Sequence, residues 1–210
     1  MMTQEIFQYF RHAVQNQIRR LLLILLVFFL ASPCGAVTLG PAQFNESWQK
    51  GPFKMRLIGA GLKKFLAVKV VAAGFYLPED ASSEQALEDI PKRLEMVYLQ
   101  NIPRVELQRA TLQGIRKNVT AREFRKLRDR IDQINAQYPN VRPGDRISVT
   151  YLPGRGTLID VNGSARAVIQ GEDFAQAFYA IWVGKRPVDR RIKEYLLGER
   201  PAGETDEEGT

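Results

Sequence analysis

The chain has 210 residues, 45% of them hydrophobic, with a formal charge of +7 and an isoelectric point near 9.6. This suits one globular domain with tails that can bury a core. The first 36 residues carry Arg11, Arg19 and Arg20 against Glu5, so the remainder has a charge of +5. Its cations alternate with acids along helical stretches, which points to solvated faces and away from a nucleic-acid surface.

Residues 1–36 read as an export signal. Arg19-Arg20 precede the apolar run Leu21–Ala31, and Ser32-Pro33-Cys34-Gly35-Ala36 supplies the small residues of a cleavage site after Ala36. An uncleaved anchor is the other reading, although eleven apolar residues fall short of the roughly twenty that span a bilayer. Cys34 raises lipidation, but Pro33 does not suit a lipobox. Cys34 and His12 are the only cysteine and histidine. Beyond residue 36, disulfides, Cys/His metal or haem sites and His-based nucleophile systems are therefore excluded. Acid–base chemistry would fall to Asp, Glu, Lys or Tyr. No D-x-D-x-D loop suggests a carboxylate metal site, and no cofactor is expected.

Val37–Gly51, with Phe44 and Trp48, reads as a packed edge segment or helical turn. Phe53–Lys63 and Phe65–Leu77 form a strand pair around the Gly-rich bend Gly59-Ala60-Gly61, which carries Lys63 and Lys64. The second strand is almost wholly apolar apart from Lys69, as in a strand covered on both faces. A cationic glycine bend at such a strand fits an anionic ligand, but the spacing alone favours a core strand with lysines at its solvated end. Pro78-Glu79-Asp80 stops the strand. Ser82–Asp89 reads as a capped turn or two of helix. Lys92–Gln100 alternates, with Leu94, Met96 and Tyr98 on one side and Arg93, Glu95 and Val97 on the other.

After Pro103, Val105–Lys117 has helical spacing. Thr120-Ala121-Arg122-Glu123 is a capping box for a helix with the stripe Phe124, Leu127, Ile131, Ile134 and Tyr138. Arg146–Leu152, Thr157–Val161 and Ser164–Ile169 make an antiparallel meander, turning at Pro153-Gly154-Arg155-Gly156 and at Asn162-Gly163. Gly171–Gly184 is an amphipathic helix with Phe174, Ala177, Phe178, Ile181 and Trp182 on one face. Pro187 starts the last helix. The tail Glu199–Thr210 is acidic and poor in large apolar residues, as in a disordered segment. The pattern predicts an α+β fold, with helices on one face of a mainly antiparallel sheet.

Two blocks carry a resemblance. One is Gly59-Ala60-Gly61-Leu62-Lys63 followed by Gly74-Phe75-Tyr76-Leu77. The other is Phe174-Ala175-Gln176-Ala177, Ile181-Trp182-Val183-Gly184-Lys185, Pro187-Val188-Asp189 and Leu196-Leu197-Gly198. Their order and spacing resemble the chalcone isomerase family, with the overall pattern closest to its bacterial chalcone isomerase-like members, over about Phe53 to Gly198. The resemblance implies an open-faced β-sandwich over 37–198 with a ligand cleft between sheet and helices. The family includes isomerases, fatty-acid-binding proteins and members without known catalysis.

The isomerase uses an Arg in the G-A-G-x-R bend, and here that position is Lys63. A lysine keeps the charge but loses the planar fork. The following strand's catalytic Thr aligns with Val71, which has no hydroxyl. The segment Asn118-Val119-Thr120-Ala121-Arg122 aligns so that Ile115 and Arg122 stand at the enzyme's Tyr and Asn positions. The resemblance with these departures implies an exported, non-catalytic protein, periplasmic in location, that binds a hydrophobic anion such as a fatty acid. Its ligand contacts would be Lys63, with Lys69 or Tyr76 meeting the carboxylate and Val71 in the wall. The alternative is an intramolecular lyase or isomerase acting on an enone-type substrate. Nucleic acid is not an expected partner, and membrane contact is expected only through the export signal.

Overall fold

The computed structural model describes residues 35–200. All but the last two residues of the expected export signal, and most of the acidic tail, lie outside the described residues. The nine strands are β1 (Ala36–Leu39), β2 (Ala42–Asn45), β3 (Ser47–Lys50), β4 (Phe53–Phe65), β5 (Val68–Leu77), β6 (Lys92–Tyr98), β7 (Arg146–Leu152), β8 (Gly156–Val161) and β9 (Ser164–Ile169). The four helices are α1 (Arg104–Asn118), α2 (Ala121–Gln137), α3 (Glu172–Val183) and α4 (Arg190–Leu196). Strands β3 to β9 form one antiparallel sheet in sequence order, and β1 pairs with β2 as a separate hairpin. This is the expected α+β sheet-and-helix architecture. The lead-in after Ala36 is three short strands, where a packed edge segment or helical turn was expected.

Alternation along β5 explains the layering. Val71, Ala73, Phe75 and Leu77 face the helices in the main core, together with Leu94 and Met96 of β6 and Ile147 and Val149 of β7. Ala72 faces the other way, into a small core with Leu39, Ala42, Phe44, Ala60 and Val97 under the β1–β2 hairpin. Gly74 allows that cover: a Cβ there would sit 2.7 Å from the Phe44 ring. The strand is therefore buried on both faces, as its composition predicts.

Helix α3 differs from the one-faced helix expected. Ala175, Tyr179, Ala180 and Val183 are buried as well as Phe174, Phe178 and Ile181, whereas Trp182 is half-exposed. The cause is its position against the sheet on one side and α1 on the other, where Ile181 packs on Gly114. The Tyr179 hydroxyl lies 2.7 Å from the Val149 carbonyl and 2.9 Å from that of Lys92, and accepts from the Tyr151 N–H at 3.2 Å. Helix α2 opens on the predicted capping box, Thr120 with Glu123. It is tied to α3 by a forked Arg130–Asp173 pair at 2.5 and 2.8 Å. Asn162 and Gly163 both take positive φ, 52° and 80°, in the expected tight hairpin turn.

The Gly59-Ala60-Gly61 segment is not a bend. It lies inside β4, beside a register shift between Leu57 and Gly59. The glycines serve close approach. A Cβ on Gly59 would collide with the Tyr195 carbonyl of α4, and one on Gly61 would lie 2.5 Å from the Tyr195 Cβ. Helix α4 thus rests directly on the strand backbone. Gly59→Ala should cost roughly 3 kcal/mol of stability, measured by urea unfolding, because the obstructing atom is backbone and cannot rotate away.

Lys92 opens β6 almost fully buried, 1% exposed. Its ammonium donates to the Glu88 carbonyl and stands 5.7 Å from the ring centres of both Tyr151 and Tyr179. Burial pushes its pKa down to about 8, against the opposing pull of Asp89, Glu172 and Glu88. Above pH 8 the folded chain has lost this proton while the unfolded chain keeps it, so stability rises with pH. The expected gain is roughly 2 kcal/mol between about pH 8 and 10. Above about pH 10 the unfolded chain loses phenolic protons that burial retains at Tyr98 and Tyr179, and stability falls again. Thermal unfolding across this range should show the rise in the wild type and not in Lys92→Met.

Candidate functional site

A cleft of about 480 Å³ opens between the helix-facing side of β4–β6 and helices α1 and α3. Its walls come from apolar residues that the strand alternation and helix stripes send inward, chiefly Val71, Met96, Leu107, Phe178, Ile181 and Trp182. Phe65, at the end of β4, and Val188, before α4, also line it. Such a volume with few polar groups suits a small apolar ligand. A wider groove of about 710 Å³ runs where α1, α2 and α3 meet. Its lining mixes Lys117, Lys126, Lys185 and Arg186 with Glu123 and Asp173.

Lys63 is the cation of the cleft. The β4–β5 register sets it directly opposite Val71, so the two positions singled out by the sequence do meet. Val71 is buried and presents methyl groups where a hydroxyl would be needed to polarise a carbonyl. The Lys63 ammonium is 3.2 Å from Asp189 Oδ2, with both side chains about a quarter exposed. Asp189 is itself held: its Oδ1 accepts from the N–H groups of Arg191 at 2.9 Å and Ile192 at 3.3 Å, capping α4. The pair places a fixed carboxylate beside the one lysine that lines the cleft.

The other expected contacts are placed elsewhere. Lys69 is exposed on the β4–β5 hairpin, opposite Lys64, and does not line the cleft. Tyr76 lies on the opposite face of the sheet, because it is five residues from Val71 on a strand with a two-residue period. It is 1% exposed, and its phenol faces Glu95, with burial and that carboxylate raising its pKa. Ile115 is fully buried and Arg122 exposed, and neither lines the cleft. Asn118 bridges the Gly114 carbonyl and both backbone groups of Arg186, a clamp between α1 and the chain after α3.

The structure adds three hydroxyls that the sequence does not single out as site groups. Thr111 Oγ1 and the Tyr138 hydroxyl lie 2.9 Å apart, and the Tyr98 hydroxyl is 3.9 Å from Met96 Sδ; all three residues line the cleft. Burial holds the phenol of Tyr138 neutral, with its pKa pushed up to about 12 even though the Thr111 hydrogen bond works against this. Burial, and then Tyr138, raises that of Tyr98. Neutral phenols can donate to an anion or a carbonyl. A signal was available: each hydroxyl interrupts an otherwise apolar stripe, where a polar atom must find a partner. Among the described residues, no group of His, Cys, Asp and Glu is arranged to hold a metal ion.

Comparison with known proteins supplies the family. No curated protein matches the sequence. Among solved structures, a fatty-acid binding protein of Arabidopsis thaliana aligns with a TM-score of 0.61 at 16% identity, covering 79% of this chain and 97% of that one. This likeness establishes a shared fold. A family model described as chalcone isomerase-like matches residues 36–198, nearly all of the described chain. The chain therefore belongs to the chalcone isomerase-like family.

Proposed function

We propose that the protein is an exported, non-catalytic, periplasmic member of this family that binds a hydrophobic anion, such as a fatty acid, in the cleft beneath α1 and α3. The observation that carries this reading is a single lysine at the edge of a mainly apolar cleft, whose other polar lining is Glu106 and the hydroxyls of Tyr98, Thr111 and Tyr138. The Lys63 ammonium would meet the carboxylate, and the tail would lie along Val71, Met96, Leu107 and Phe178. The fatty-acid-binding function of the Arabidopsis protein that shares the fold supports the choice of ligand. Val71 supports the absence of isomerase chemistry, since it offers no hydroxyl beside the cation. The departures at Lys63, Ile115 and Arg122 lean the same way.

Asp189 sharpens the prediction, because a bound carboxylate must share or displace it. In delipidated protein, Lys63→Ala should weaken fatty-acid binding roughly tenfold, the scale of one charge-assisted hydrogen bond. Asp189→Asn should tighten binding several-fold, since Asn still caps α4 but no longer competes for Lys63. Native mass spectrometry with lipid extraction, followed by calorimetric titration, checks both. A protein that carries no lipid, takes none up and turns over an enone would replace this reading with the isomerase one.

A further inference from the structure

We infer that the tip of the β4–β5 hairpin and the basic rim beside it form a docking surface for an anionic lipid bilayer. The described chain has six large hydrophobic residues that are prominently exposed. Three form this one turn: Phe65 at 70%, Leu66 at 88% and Val68 at 51%. Val188 lines the cleft together with Phe65, and Val105 directly precedes Glu106, which also lines it. Only Val168, on β9, lies apart. Exposed apolar residues scattered singly need no explanation, whereas three in one turn, beside a cleft that Phe65 and Val188 both line, do.

The backbone adds an independent observation. Leu66 has φ of 54°, a left-handed conformation that glycine or asparagine adopts at little cost and a bulky side chain does not. Glycine or asparagine would satisfy both the turn and the solvent. The chain instead has a leucine that is unfavourable in its conformation and wet on its surface, the kind of local misfit that marks a functional segment. Insertion of the side chain into the acyl boundary removes the second cost.

Charge selects the bilayer as the occupant. The segments 63–69 and 185–191 meet at the Lys63–Asp189 pair. Together they carry seven cations, Lys63, Lys64, Lys69, Lys185, Arg186, Arg190 and Arg191, against the single carboxylate of Asp189. An apolar tip next to two segments of net positive charge, with Glu106 the acid in the cleft wall, matches an apolar interior beneath anionic headgroups. This departs from the expectation that only the export signal meets a membrane. Docked this way, the cleft would open onto the lipid surface, the natural reservoir for its ligand. That last consequence rests on the fatty-acid reading, but the docking does not.

The test uses the full chain with Cys34→Ser and an environment-sensitive fluorophore at Leu66→Cys, so that insertion of the tip is read whatever else touches the membrane. A matching probe at Arg155→Cys marks the β7–β8 turn. That turn lies at the opposite end of the sheet, because Tyr151 pairs with Lys92 whereas Tyr98 pairs with Val71. Vesicles of phosphatidylcholine with phosphatidylglycerol should shift emission at position 66 to the blue and expose it to acyl-chain nitroxide quenchers. Phosphatidylcholine vesicles should do neither, and position 155 should not respond. Lys69→Gln should reduce the response about fivefold at fixed lipid. An unresponsive position 66, or equal responses at 66 and 155, would overturn the proposal. Fatty-acid binding is measured separately without vesicles, so insertion without ligand uptake removes the ligand reading and leaves docking standing.

Discussion

The seating of α4 on the backbone of β4 is the contact on which the cleft depends. Gly59 lets the Tyr195 carbonyl, and Gly61 the Tyr195 side chain, approach closer than a Cβ on the strand would permit. That contact seats the C-terminal end of α4, whose other end is capped by Asp189 beside Lys63. The cation at the cleft edge is therefore held by a helix cap, and the cap by a helix that can sit only where the strand has no Cβ atoms. Packing, capping and electrostatics form one chain of dependence, running from strand to helix to site.

The chemistry of the cleft follows from what surrounds that cation. On the helix-facing side of β5, Lys63 faces Val71, and the remaining polar lining is Glu106, the Thr111 hydroxyl and the phenols of Tyr98 and Tyr138, which burial keeps neutral. A site with one lysine, neutral hydroxyl donors and mainly apolar walls has the make-up to hold an amphiphile by its head. It is poorly equipped to stabilise the spreading negative charge of an enolate, which needs several donors aimed at one oxygen. The strongest cluster of charge, Arg93, Glu95 and Arg146, lies on the opposite face of the sheet with Tyr76. Lys92, with its depressed pKa, is enclosed by Tyr151 and Tyr179 and is a feature of the core.

Much of the architecture was legible in the sequence because it depends on local periodicity and turn chemistry. The two-residue alternation of β6 and β7, the stripe of α2, its capping box and the Asn162-Gly163 turn were all read correctly, since each is decided by neighbours within a few residues. The elements that were missed are those whose form is set by distant partners. β1 and β2 pair with each other and cover Ala72 and Gly74, β3 pairs with β4, and nothing within 37–51 announces either. The burial of α3 on two sides arises from α1 packing opposite the sheet.

For the candidate site, sequence alone determined the side-chain inventory: a lysine in the glycine-flanked motif, a valine in place of a hydroxyl, and no cysteine or histidine beyond residue 36. These are matters of composition and position. Only the tertiary structure decided which groups share a space. It set Lys63 against Val71 and Asp189, sent Tyr76 to the opposite face by strand parity, and drew Tyr98, Thr111 and Tyr138 from three separate elements into one cleft. The physical reason is range: propensity and periodicity act over a few residues, whereas a binding site is made where side chains far apart in sequence are forced together by the burial of a common core.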